Sequence, residues 1–165
     1  MHRFLFLPAF LTVLVLGGPR LMAGLPSPLP KAPEPVEDIL RLQIILDKAL
    51  FGPGKLDGRP GEFTTKALNR YQRAHGLPET PLESHTIDLS SVPQAYSTYT
   101  IREEDLKFIG DVPSRPSLQS RKKYLPYASL LEFLGERFHS DPEFLTFINQ
   151  PTKMDALKPG DIVKV

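Results

Sequence analysis

Four glycines and two prolines fall within the ten residues Gly52-Pro53-Gly54-Lys55-Leu56-Asp57-Gly58-Arg59-Pro60-Gly61. No regular helix or strand runs through such a segment, because glycine favours turn conformations and proline removes a backbone donor. On either side the pattern is helical. Ile39, Leu42, Ile45, Leu46 and Ala49 recur at helical spacing before the turn, and Phe63, Ala67, Leu68 and Tyr71 do so after it. That spacing predicts a first helix starting near Val36 to Asp38, with Glu37 and Asp38 at the positive end of its dipole. It predicts a second helix from about Glu62 to Ala74, stopped by Gly76.

The residues from Leu42 to Leu77 also keep a fixed spacing of smaller signals. Leu42-Gln43, Leu46, Pro53-Gly54, Leu56-Asp57-Gly58, Gly61, Thr64, Ala67-Leu68, Tyr71-Gln72 and Gly76-Leu77 all fall in step with one motif. This pattern resembles the small helical peptidoglycan-binding domain of bacterial cell-wall hydrolases and transpeptidases. The resemblance implies a three-helix-type domain over residues 36–84, whose third element is degenerate here, with Ser84-His85-Thr86-Ile87 only a faint echo of it. Residues 85–98 are polar and turn-rich and read as a flexible linker.

A second unit is expected over 99–165. Tyr99-Thr100-Ile101 alternates like a short strand, and a strong helix is predicted from about Tyr127 to His139. Ser140-Asp141-Pro142-Glu143 reads as a capping box, with Ser140 as N-cap. A helix carrying Phe144, Leu145, Phe147 and Ile148 follows, and then a strand Ile162–Val165 after Pro159-Gly160-Asp161. Tyr99-Thr100-Ile101, Asp105, Leu106, Leu145, Asn149, Leu157 and the last strand resemble a diverged LysM module with a strand-helix-helix-strand layout. Glu104 stands where that family has glycine, and residues 111–126 form a loop insertion. The expected fold class is mainly α: a small helical domain plus a small α+β unit with a two-stranded sheet.

At the N-terminus, Arg3 precedes an apolar run from Phe4 to Leu16. The run is shorter than the ~20 residues that span a bilayer. It reads as a signal peptide over 1–23, ending at Ala23, or else as an uncleaved membrane anchor. Five prolines between Leu25 and Pro35 make residues 24–35 a stiff, extended tether. The order of signal, tether, peptidoglycan-binding domain and LysM-like unit resembles the N-terminal half of exported L,D-transpeptidases. The catalytic domain of that family carries SHGC with a nucleophilic cysteine, whereas this sequence contains no cysteine.

Within the motif, Phe51, Asp57, Arg59, Thr64, Tyr71 and Gln72 are candidate ligand-binding residues, and Asn149 is the candidate in the second unit. Each has a structural alternative. Asp57 either faces a ligand or caps its own turn. Thr64 and Gln72 offer hydrogen bonds to a muropeptide or to the local backbone, and Phe51 either stacks on a sugar or fills the core.

No catalytic residue is assigned. The sequence lacks a thiol, a G-x-S-x-G serine and a credible carboxylate pair, and His75, His85 and His139 show no ligand spacing, so neither metal nor cofactor is expected. Cleavage after Ala23 would leave 18 basic and 19 acidic side chains, with no overall field toward nucleic acid or anionic lipid. Arg121-Lys122-Lys123 reads as a solvated loop, and membrane contact is expected only through the signal segment. The expected function is non-catalytic binding of peptidoglycan in the periplasm or cell wall. The alternatives are the targeting part of an L,D-transpeptidase without its catalytic domain, and an exported protein-interaction domain. Oligomeric state is open.

Overall fold

In the computed structural model, which describes residues 34–165, helix α1 runs Glu37–Lys48 and α2 runs Glu62–Ala74. The signal segment and nearly all of the tether lie outside the described residues. The two helices pack through Leu42, Leu46, Ala67 and Leu68, all fully buried. The third element is a single 3-10 turn, Leu82–Ser84, whose Leu82 completes this core. Gly76 (φ +66°) ends α2 as expected, with Leu77 N donating back to Gln72 O at 2.8 Å.

The second half contains strand β1 (Thr98–Thr100), a 3-10 turn (Glu103–Phe108), the short α3 (Pro116–Gln119), α4 (Leu130–Arg137), α5 (Pro142–Ile148), a 3-10 turn (Met154–Ala156) and β2 (Ile162–Lys164). The strands pair antiparallel with Tyr99 opposite Val163. Their inward side chains join Ile101, Phe133, Leu134 and Leu145 in one core. Asp105 is buried and secures the end of β1. It accepts from Tyr99 OH at 2.8 Å and from Arg102 N at 2.8 Å. The result is mainly helical with one small two-stranded sheet.

Four details differ from the sequence reading. Helix α4 begins at Leu130, not Tyr127, because Ser129 caps it by accepting from Glu132 N. The cap of α5 is Asp141, not Ser140. Asp141 accepts from the amides of Glu143 and Phe144, and Pro142 takes the first helical position, where it needs no partner for the N–H it lacks. Leu40 lies outside the predicted apolar stripe yet is buried, against Leu56 and Phe144. Phe63 lies on the predicted stripe yet is 70% exposed.

Leu40 and Leu56 reach Phe144 because the halves pack together. Leu56 N donates to His139 O at 2.8 Å, forming a parallel bridge between Leu56 and Ser140. His139 Nδ1 lies 2.8 Å from Asp47 Oδ2. Segment 85–98, read as a flexible linker, runs along α1: Arg41 donates to Leu89 O at 3.0 Å and to Val92 O at 2.8 Å, and Val92 is buried. No helix among the described residues is long and apolar enough to cross a membrane.

Candidate peptidoglycan-binding site

The glycine turn is built on one buried amide. Gln43 projects from α1 and is 1% exposed. Its Oε1 accepts from Asp57 N at 3.1 Å and Gly58 N at 2.8 Å. Its Nε2 donates to Asp57 Oδ1 at 3.1 Å, Arg59 O at 3.2 Å and Thr64 Oγ1 at 3.2 Å. A side chain with one carbonyl and one NH2 group thus gathers the whole turn onto the helix pair. Asp57 adds an Asx turn, with Oδ1 accepting from Arg59 N at 2.9 Å. Gly58 takes φ +68°, and a Cβ there would lie 3.0 Å from Val36 O. That closeness reflects the 2.7 Å bond from Val36 N to Gly58 O.

The same turn is held from outside by the second half. Lys55 Nζ donates to Asp141 Oδ2 at 2.7 Å. The bond raises the Lys55 pKa, chiefly through the hydrogen bond and then through the negative charge. For Asp141, burial alone pushes the carboxyl up. The Lys55 hydrogen bond, the amides of Phe144 and Glu143, and the Lys55 charge together outweigh it, so its pKa falls below the ordinary value. One carboxylate therefore caps α5 and pins the glycine turn.

Between the fixed turn and the start of α2 lies an open cleft of about 390 Å3. Pro53, Pro60 and Phe63 give it apolar walls, and Asp57 and Arg59 give it polar ones. Asp57 and Arg59 also lie as an ion pair at 3.9 Å. The N-cap of α2 is Gly61, which supplies no side-chain cap, so the positive end of the helix dipole opens on this side.

The sequence candidates divide into three groups. Asp57 and Arg59 line the cleft. Thr64 also lines it, but the residue is 2% exposed and its hydroxyl is used, donating to Pro53 O at 3.3 Å and accepting from Gln43. Phe51 and Tyr71 lie elsewhere in an aromatic stack. Their rings meet edge to face at 5.3 Å, and His75 stacks on Tyr71 at 4.0 Å. They pack against the first core, which accounts for the motif's aromatic position.

Gln72 and Asn149 hold structure in this fold. Gln72 is 0% exposed. Its Nε2 donates to Thr80 Oγ1 at 2.8 Å, and its Oε1 accepts from Thr80 N at 3.2 Å. Asn149 bonds Lys164 N at 2.7 Å and Lys164 O at 2.8 Å, which locks β2 to the end of α5. Two residues that matter at the cleft were absent from the candidates. Gln43 was legible as part of the Leu42-Gln43 motif. Phe63 had no local signal, since its spacing is that of a core residue.

Residues 35–80 match the family model described as a putative peptidoglycan binding domain. The matched segment contains α1, the glycine turn, α2 and the whole lining of the cleft. No curated protein matches the chain at a significant level. A peptidoglycan-binding domain is a binding module, and the described residues contain no group of three or more His, Asp or Glu able to hold a metal ion.

Proposed function

We propose that the protein is an exported, non-catalytic peptidoglycan-binding protein, and that the cleft beside the glycine turn takes the ligand. The observation that carries this reading is Phe63. An aromatic side chain at a helical core position is turned out to solvent, inside the segment that matches a peptidoglycan-binding domain, as the wall of an open cleft. A muropeptide offers sugar faces, amides and carboxylates, and the mixed lining of Phe63, Pro60, Asp57 and Arg59 suits all three. Turn and cleft are held rigid before binding by Gln43 and by Lys55–Asp141, so little ordering entropy is lost on association.

The β1-α4-α5-β2 order supports reading the second half as a LysM-like unit, with the excursion 111–126 as an insertion. In this proposal it buttresses the cleft through Asp141 and His139 O. Asn149 does not contact ligand, because its amide is used on β2.

The test is sedimentation with purified cell-wall sacculi, reading the bound fraction of the intact protein and of Phe63→Ser. The side chain is exposed, so folding should be retained, as dichroism can verify. The intact protein should sediment with sacculi, and the variant should bind at least several-fold more weakly. Intact protein that stays in the supernatant while fully folded would defeat the proposal.

A further inference from the structure

We propose that the excursion 111–126 docks on an anionic membrane surface, with its cations facing lipid phosphates and Leu118, Tyr124 and Leu125 entering the headgroup boundary. The inference is independent of the wall-binding cleft, which lies in the other half of the fold.

Charge is the first support. Residues 34–165 carry 17 basic and 19 acidic side chains. Four of those cations, Arg115, Arg121, Lys122 and Lys123, fall within the excursion beside a single carboxylate, Asp111. The excursion is thus locally +3, and the remainder of these residues is −5. A near-neutral total hides a strongly polarised molecule, and such a patch attracts an anionic surface within about a Debye length of ~10 Å.

Exposed apolar surface is the second support. Eleven large hydrophobic side chains stand exposed among the described residues, and five of them lie between Leu106 and Leu125. That stretch is only 20 of the 132 described residues. Tyr124 is 72% exposed and Leu125 47%. A soluble polyanion bound through its charge alone would leave Leu118 and Leu125 in water. A lipid interface takes both, since cations bind the phosphates while aromatic and leucine side chains enter the acyl boundary.

The excursion presents these groups from a defined shape. Its base is closed by Gly110 N to Tyr127 O at 2.9 Å and Tyr127 N to Phe108 O at 2.8 Å. Inside, Gln119 Nε2 donates to Pro113 O at 2.7 Å and Lys122 Nζ to Asp111 O at 3.2 Å. An open cleft of about 420 Å3 is lined by Lys107, Asp111, Lys122, Lys123 and Tyr124. Three lysines line a cleft whose size suits a phosphate-bearing headgroup.

The experiment measures partition of the full chain onto vesicles of phosphatidylcholine alone or with phosphatidylglycerol, by lipid titration at low and moderate salt. Any contribution of the apolar run at 4–16 is common to all variants and cancels between them. The combined variant Arg115→Gln, Arg121→Gln, Lys123→Gln spares Lys122, which is bonded within the loop. Each cation near such a surface is worth about fivefold, so the triple variant should lose at least tenfold on anionic vesicles and little on neutral ones. Tyr124→Ser combined with Leu125→Ser should weaken partition onto both vesicle types. Dichroism checks that each variant keeps its helices. Unchanged partition in the folded triple variant would overturn the proposal. So would wild-type protein that binds soluble polyphosphate yet shows no preference for anionic vesicles, since that would assign the patch to an acidic polymer.

Discussion

Replacing Gln43 by methionine tests how the binding segment is held together. The side chains are close in size, so the change removes hydrogen bonds while adding little strain. Two backbone donors lose their acceptor, Asp57 N and the buried Gly58 N. Each orphaned donor costs about 1–3 kcal/mol. Arg59 O, Asp57 Oδ1 and Thr64 Oγ1 lose a donor as well, but Asp57 Oδ1 keeps Arg59 N. The sum is a destabilisation of about 2–6 kcal/mol, against a total of about 5–15 kcal/mol for an ordinary domain. Urea unfolding followed by dichroism reads the change as a shift in midpoint.

Gln43→Glu separates the roles. Its oxygens can still accept from the two amides, but the ionised carboxylate faces Asp57 Oδ1 and Arg59 O without a proton to offer. The introduced carboxyl should therefore have a folded pKa raised above its unfolded value of about 4.3. Its penalty should be small below that pH and grow as pH rises through it. A methionine variant within about 0.5 kcal/mol of wild type would refute the account of Gln43 as the organising residue.

Two further predictions concern the same segment. Asp141→Asn keeps a good helix cap but removes the charge paired with Lys55. Because the native Asp141 pKa is lowered, its contribution is present above the unfolded carboxylate pKa of about 3.9 and is lost as pH falls through the folded value. Acid titration of stability should therefore fall less steeply below about pH 4 in the variant than in wild type, and identical profiles would count against the pairing. Gly58→Ala should cost more than Gly52→Ala, measured by thermal unfolding. Both positions have positive φ, but a Cβ meets Val36 O at Gly58 and open space at Gly52, so only the left-handed penalty of about 1–2 kcal/mol applies to the latter.

The helix pair and the glycine turn were legible because they rest on local rules. Apolar spacing marked α1 and α2, and Gly54 and Gly58 take the positive φ expected of such a turn, whereas Gly61 is extended (φ −160°) with open space around it. The sheet was legible from the alternation around Tyr99 and Val163. The α5 cap was misread although a local rule was available: Pro142 at the first helical position makes Asp141 the cap. Leu40 and Phe63 were not legible. Leu40 is buried by Phe144, a residue 104 positions away, and Phe63 stays exposed although it lies beside Gly54 of the turn.

Polar motif residues were the hardest to place. An amide or hydroxyl that recurs at fixed spacing carries the same signal whether it serves a ligand or the backbone. Thr64, Gln72 and Asn149 serve the backbone here. The Arg121-Lys122-Lys123 cluster was legible as a cluster but read as a solvated loop, because three adjacent cations carry the same signal with or without a partner.

The central claim is that peptidoglycan enters the cleft between the glycine turn and α2. Titrating 15N-labelled protein with soluble muropeptide fragments, and following amide shifts by NMR, reads that location directly. Shifts should concentrate at Gly54, Asp57, Arg59, Gly61 and Phe63, and leave the Phe51–Tyr71–His75 stack and the Asn149–Lys164 junction largely unmoved. Shifts centred on the stack or on Asn149, with the cleft amides still, would contradict the account.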